Sequence, residues 1–349
     1  MISSRMRAAS GLAILILTTL AVPLLIRLPI GFGHEPALPP TYLPALEGPR
    51  ERAAFDPDRI PDLRVMQPGY VIIGDSMAGS RVDERRLVEL AGVQVAPLLQ
   101  PGSGSAFWYL ALKNWVIASG IKPRVVFIFF RDTNLTDVMF RLDQTFRWSL
   151  DMVAGEREAD LNRVIAARMD RPYYHVHGLV ERVYQGDRAR AWMEPALTVW
   201  PARLMIPSVR RRAEFQAGLN ARFGLDHLRP MEAADIQAAE DRMADFPRYV
   251  DESPLPLMLR DAERAGLTIC FVRVQRRPAG DGAPEQSPAL QRYIDDLQRY
   301  VTARGAIFRD DTGDPLLTLD MYEDGDHIRR EARRRYTEIL HARLNHLFQ

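Results

Sequence analysis

Tyr70-Val71-Ile72-Ile73-Gly74-Asp75-Ser76-Met77-Ala78-Gly79-Ser80 is the stretch around which the 349-residue chain is organised. A short run of β-branched and aromatic residues stops at a glycine, and an acid and a serine follow at once. Residues 81–90 (RVDERRLVEL) then carry the spacing of an amphipathic helix. A strand that ends in Gly-Asp-Ser and opens into a helix sets a hydroxyl at the C-terminal edge of a sheet, where open α/β folds keep their ligands. The free N–H groups and the dipole at the start of that helix suit a developing oxyanion. The plainer use of Ser76 is as the helix N-cap.

Working outward, residues 93–99 (VQVAPLL) read as a second strand, which Pro97 confines to a sheet edge or an irregular stretch. A glycine-rich loop, 100–105 (QPGSGS), leads into an apolar helix over about 106–119 that Gly120 and Pro123 terminate. Residues 125–130 (VVFIFF) form the continuous apolar run of a central parallel strand, buried on both faces. The strand–helix–strand repetition predicts an α/β fold, a three-layer doubly wound parallel sheet. From about 135 to 266 the periodicity is helical without a convincing strand, and too long for one crossover, so a large helical insertion is expected there. The α/β pattern resumes at 267–274 (LTICFVRV), followed by a helix at 288–304, a short strand at 306–309 and a last helix at 328–347.

Apolar content of 47% and charged content of 26% belong to a globular chain, and a net charge of +1 gives no electrostatic reason for nucleic-acid binding. Arginine supplies all the cations but Lys113 and Lys122, so runs such as 210–212 and 333–335 say little about partners. The one cysteine, Cys270, sits in an apolar run and reads as a small core residue.

The compartment is decided at the N-terminus. Residues 1–7 carry Arg5 and Arg7 and no acid, and 8–26 carry no charge at all. That is long enough for an N-terminal transmembrane helix, assigned to 8–31, with the tail 1–7 in the cytoplasm. No small-residue cleavage pattern follows, which favours an uncleaved anchor over a signal peptide. Residues 32–64, with Pro36, Pro39, Pro40, Pro44, Pro49, Pro57 and Pro61, form an extended tether. Residues 65–349 are the globular domain, expected on the extracytoplasmic (periplasmic) side.

A serine hydroxyl attacks only when a base takes its proton and a carboxylate orients that base. Of seven histidines, only His327 combines a loop-to-helix position with nearby acids, in Asp324-Gly325-Asp326-His327. Asp324 is the first candidate to turn back onto the ring, Asp326 the second. A last sheet edge lying beside the first strand would carry His327 to Ser76. Other motifs fail on single residues. Ala78 breaks the G-x-S-x-G elbow. Ser80 stands where a phosphate loop needs lysine, and residues 102–107 break the dinucleotide pattern at its end. His175 and His177 lack a third ligand, so neither a metal nor a cofactor is expected.

Gly74-Asp75-Ser76 after a strand, a glycine in the next loop, a polar loop after the third strand and Asp-x-x-His near the C-terminus resemble the SGNH (GDSL-type) hydrolase superfamily. The resemblance covers roughly residues 68–134 and 267–349. It implies Ser76 as nucleophile, His327 as base and Asp324 as its partner. It also implies an oxyanion hole from the Ser76 N–H, the N–H of Gly102 or Gly104, and the Asn134 side chain. The third block departs from Gly-x-Asn-Asp, reading Arg131-Asp132-Thr133-Asn134 here. Asp75 and Arg131 are candidate substrate contacts; for Arg131 an ion pair with an acid of the insertion is an equal expectation.

An anchor, a tether and such a domain outside the membrane resemble accessory proteins of polysaccharide O-acetylation. The implied activity is that of an esterase or O-acyltransferase acting on a cell-envelope polysaccharide. A polytopic membrane O-acyltransferase would be its partner. The alternative is a non-catalytic binding or assembly protein of a polysaccharide modification or export complex.

Overall fold

A computed structural model describes residues 56–142, 146–155, 158–169, 243–278, 286–323 and 325–344, with single positions at 17, 43, 46, 208 and 211. The chain divides into two compact units, and every element described below belongs to the one formed by residues 39–46, 50–168 and 233–349. The proposed anchor falls outside the described residues except at Leu17. Among the described residues no helix is long and apolar enough to cross a membrane.

Helix α1 (Arg59–Met66), which replaces the end of the expected extended tether and buries Leu63, precedes strand β1 (Tyr70–Gly74), which is buried throughout. Two short helices follow, α2 (Ser76–Arg81) and α3 (Glu84–Ala91), then β2 (Val95–Leu99). Helix α4 (Ser105–Leu110) continues as a π-helical stretch, Ala111–Ile117, into β3 (Val125–Phe130). Helices α5 (Arg147–Val153), α6 (Ala159–Arg168), α7 (Phe246–Tyr249) and α8 (Leu255–Ala265) occupy the described part of the predicted insertion. Then come β4 (Ile269–Arg273), α9 (Pro288–Thr302), β5 (Ile307–Asp310) and α10 (Arg333–Leu344).

The five strands form one all-parallel sheet in the order β2-β1-β3-β4-β5, an α/β fold. Pro97 lies on the edge strand β2, paired in register with Ile72. Ile72, Phe127 and Cys270 align across three strands and pack into one core with Leu87 of α3 and Tyr336 and Leu340 of α10. Period-two alternation turns Val71, Ile73, Val126, Ile128 and Phe271 to the opposite face, where they too are inaccessible. Burying one such side chain stabilises the fold by roughly 1.5–3 kcal/mol, so a sheet packed on both faces leaves its C-terminal edge free for chemistry. The chain order reverses at β1, whose neighbours are β2 and β3, and ligands of open α/β sheets bind beyond the strand ends at such a reversal.

Three expectations are corrected. The last strand does not lie beside the first: β5 is at the far edge, with β3 and β4 between, and a loop rather than a strand carries His327 back. The single helix over 81–90 is two, because Val82 is extended and Asp83 starts afresh, its side chain accepting the Arg86 N–H at 3.0 Å. Thr337 holds that break by accepting the Asp83 N–H at 2.8 Å. The last helix begins at Arg333, not 328, because Ile328 is engaged in an antiparallel bridge with Tyr322.

Candidate active site

Ser76 opens α2 directly after β1. Gly74 permits that turn: a Cβ there would sit 2.7 Å from the Ala78 Cβ and 3.3 Å from the Phe129 Cβ. The cap of α2 is Asp75, whose Oδ1 accepts the Met77 N–H at 2.8 Å. Ser76 is therefore not the cap, and its hydroxyl is left for other work. Ser76 Oγ and His327 Nε2 lie 3.0 Å apart, a hydrogen bond in which the hydroxyl donates when the ring carries its proton on Nδ1.

His327 reaches that position on a tightly fastened loop. The Tyr322–Ile328 bridge closes it, the Glu323 N–H donates to the His327 carbonyl at 2.9 Å, and the Arg329 N–H donates to the Met321 carbonyl at 2.9 Å. The Ile328 N–H donates to Ser80 Oγ at 3.3 Å, tying the loop to the helix that carries the nucleophile. Asp326, the second candidate for orienting the ring, has both oxygens engaged elsewhere. Arg131 Nη1 donates to Oδ2 at 2.7 Å and the Arg277 N–H to Oδ1 at 2.8 Å. Asp324 lies outside the described residues.

Among the described residues the ion pairs of Arg131 are with Asp326, at 2.7 Å, and, at 3.3 Å, with Asp132; most of the insertion lies outside the described residues. Asp132, buried and at φ 46°, is ringed by cations: Arg273 Nη2 at 2.7 Å and Arg276 Nε at 2.7 Å complete the set. Burial alone would raise its carboxyl, but Arg273, Arg276 and Arg131 together outweigh that and hold it below the ordinary range. Arg273, almost fully buried, also donates to Asp310 at 3.0 Å and Gln286 at 2.8 Å. The ends of β3 and β4 and the His327 loop are clamped together by these charges.

Arg81, at the end of α2, is completely buried. Its Nη2 donates to the Gln275 carbonyl just past β4 at 2.7 Å, and its Nη1 to the Met77 carbonyl at 3.2 Å. Asp75 is nearly buried, which pushes its carboxyl up; the Met77 N–H and the charges of Arg141, Arg81 and His327 act in the opposite sense. Capping of α2 through Oδ1 is the role its geometry shows.

The glycine loop is drawn onto the end of β1. The Gln100 N–H and the Ser103 hydroxyl both donate to the Gly74 carbonyl, at 3.0 and 3.3 Å, and Ser103 Oγ accepts from Trp108 Nε1 at 2.9 Å. Gly102 has φ +75°, and a Cβ on it would meet the Phe146 ring at 2.5 Å. A Cβ on Gly104 would meet the Phe140 carbonyl oxygen at 2.7 Å. Neither glycine's N–H finds a hydrogen-bond partner among the described residues. Asn134 stands in the turn after β3, its N–H donating to the Arg131 carbonyl at 3.0 Å. It is half-buried, and its side chain makes no hydrogen bond among the described residues.

The arrangement offers a serine in proton-transfer reach of an imidazole, beside a loop whose Gly102 and Gly104 N–H groups have no partner among the described residues. No cluster of metal-ligating side chains occurs among the described residues, and His175 and His177 lie outside them. Burial pushes the Cys270 thiol up to about 12, which leaves it inert inside the sheet. Sequence reasoning overlooked Ser80, Arg81, Arg273, Arg276 and Arg141. A usable signal was present for two of them: Arg273 and Arg276 leave the strand adjacent to the one that ends in Arg131-Asp132. No protein-family model matches this sequence, and no curated protein does either.

Proposed function

We propose that this chain is a serine esterase or O-acyltransferase of the SGNH (GDSL-type) kind, anchored to the cytoplasmic membrane by its N-terminus. Its domain acts outside the membrane, on an acyl (acetyl) ester of a cell-envelope polysaccharide. The 3.0 Å approach of His327 Nε2 to Ser76 Oγ at the reversal point of the sheet carries the reading.

In the first step Ser76 Oγ bonds to the acyl carbon while its proton passes to His327 Nε2. The carbonyl oxygen becomes an oxyanion, held by the Ser76 N–H, an N–H of Gly102 or Gly104 and the Asn134 amide. Collapse expels the alcohol, which leaves with the proton from His327, and Ser76 retains the acyl group. Water then completes hydrolysis, or a sugar hydroxyl completes transfer, with His327 again taking and returning the proton. Asp324 holds the ring with its proton on Nδ1, and Arg131, through Asp326, holds the loop. A polytopic membrane O-acyltransferase is the partner suited to supply the acyl group.

The test is labelling of the purified full-length protein with a serine-directed fluorophosphonate, together with turnover of p-nitrophenyl acetate. The wild type should label and turn over; Ser76→Ala should do neither. A folded wild type that stays unlabelled and inactive would instead support the non-catalytic binding protein.

A further inference from the structure

We propose that Arg141 recognises a carboxylate on the substrate beside the ester that Ser76 attacks, so that the acylated sugar is an acidic one. This rests on the ester-chemistry reading of Ser76. Arg141 has φ +59°, a conformation unfavourable for an L-residue with a Cβ and retained only where surrounding structure stabilises it. A pair of rings flanks its side chain: the guanidinium carbon lies 4.7 Å from the Phe140 centroid and 5.1 Å from the Phe146 centroid. These same two residues close over Gly104 and Gly102. Arg141 Nη1 itself comes within 3.3 Å of where a Gly102 Cβ would stand, so the cation lies on the glycine loop. Its charge also reaches Asp75, the residue before the nucleophile.

The neighbouring arginines have carboxylate partners: Arg131 with Asp326, Arg273 and Arg276 with Asp132. Arg141 has none, and no hydrogen-bond acceptor, among the described residues. Aromatic rings attract the cation but do not use its five N–H donors. A half-buried guanidinium in that state matches a planar carboxylate, which takes two of those donors at once. A phosphate dianion fits less well, since one guanidinium leaves its second charge uncompensated near Asp75.

The experiment uses the full chain in detergent, with methyl glycosides of O-acetyl-glucuronic acid and O-acetyl-glucose as the acidic and neutral probes. Affinities are read by ligand-observed NMR on Ser76→Ala, so that binding is scored without turnover. Tighter binding of the acidic probe, by ~10-fold or more, is the expected result. Adding Arg141→Asn, which removes the charge but tolerates the left-handed backbone, should erase that preference; Arg141→Lys should keep part of it. Equal affinity for the two probes, no binding of either, or a preference that survives Arg141→Asn would overturn the proposal. Turnover of p-nitrophenyl acetate by wild-type protein judges the Ser76 reading separately: if it occurs while the acidic preference is missing, only the role of Arg141 falls.

Discussion

At the ends of β3 and β4, Arg131, Arg273 and Arg276 close around Asp132 and Asp326; over the glycine loop, Arg141 lies against two phenylalanine rings, with no carboxylate in ion-pair contact among the described residues. Each arrangement includes a charged residue at left-handed backbone, the anion Asp132 at φ 46° in the first and the cation Arg141 at φ 59° in the second. In the first, the charges answer one another and their effect is to fix where the His327 loop stands. In the second, two rings flank the guanidinium, and among the described residues no carboxylate pairs with it. An arginine saturated by acids is a fastening; one saturated by rings is an instrument for recognition.

The difference can be broken most forcefully at Asp132. Asp132→Asn would strip the buried Arg273 of one of its two carboxylate partners, leaving Asp310, and should cost up to ~3–5 kcal/mol in urea unfolding. The sign with pH follows from the lowered carboxyl. Its stabilisation is complete above the unfolded value near 3.9 and fades as pH falls through the still lower folded value. The gap between wild type and Asp132→Asn should therefore be constant from about pH 5 to 7 and narrow in acid below about pH 4. A gap unchanged into strong acid would show that Asp132 is not the ionised centre of the clamp.

On the glycine-loop side, Gly102→Ala combines a left-handed φ with a clash against Phe146, and should lower stability by ~1–3 kcal/mol. Thermal unfolding together with esterase turnover would register it. Arg131→Gln should cost only ~1 kcal/mol, the pair with Asp326 being partly exposed to solvent, yet lower kcat by ~10–100-fold with little change in KM. Arg131→Lys should recover part of that rate; an unaltered kcat in Arg131→Gln would detach the clamp from the base. The smallest effect is expected at Arg141→Asn, which relieves backbone strain and loses ring contacts, so that stability should move by less than ~1 kcal/mol. A large loss in denaturant would mean that Arg141 is a fastening after all.

The strands were legible because both faces of the sheet are covered, so 125–130 and 269–273 show continuous apolar runs that need no knowledge of their partners. Pro97 likewise announced an edge. The break at Val82 was not legible, since Thr337, which holds it, is 254 positions away. The pairing of Ser76 with His327 could be anticipated from local chemistry alone, a hydroxyl after a strand and a ring beside acids. The job of Asp326 could not: its partners Arg131 and Arg277 come from two other strand ends, and a sequence shows only that an acid adjoins the histidine. Arg141 gives no warning at all, because nothing in an arginine's neighbours along the chain announces a positive φ.

Ser80 accepts the Ile328 N–H one turn beyond the nucleophile, while Arg81 ties the same short helix to the carbonyl of Gln275. Nucleophile and base are consequently mounted on a single chassis: a displacement of α2 carries the His327 loop with it and leaves the proton path at the same length. Whatever adjustment substrate entry requires has to be absorbed by the other wall, the glycine loop and the phenylalanines that lean on it.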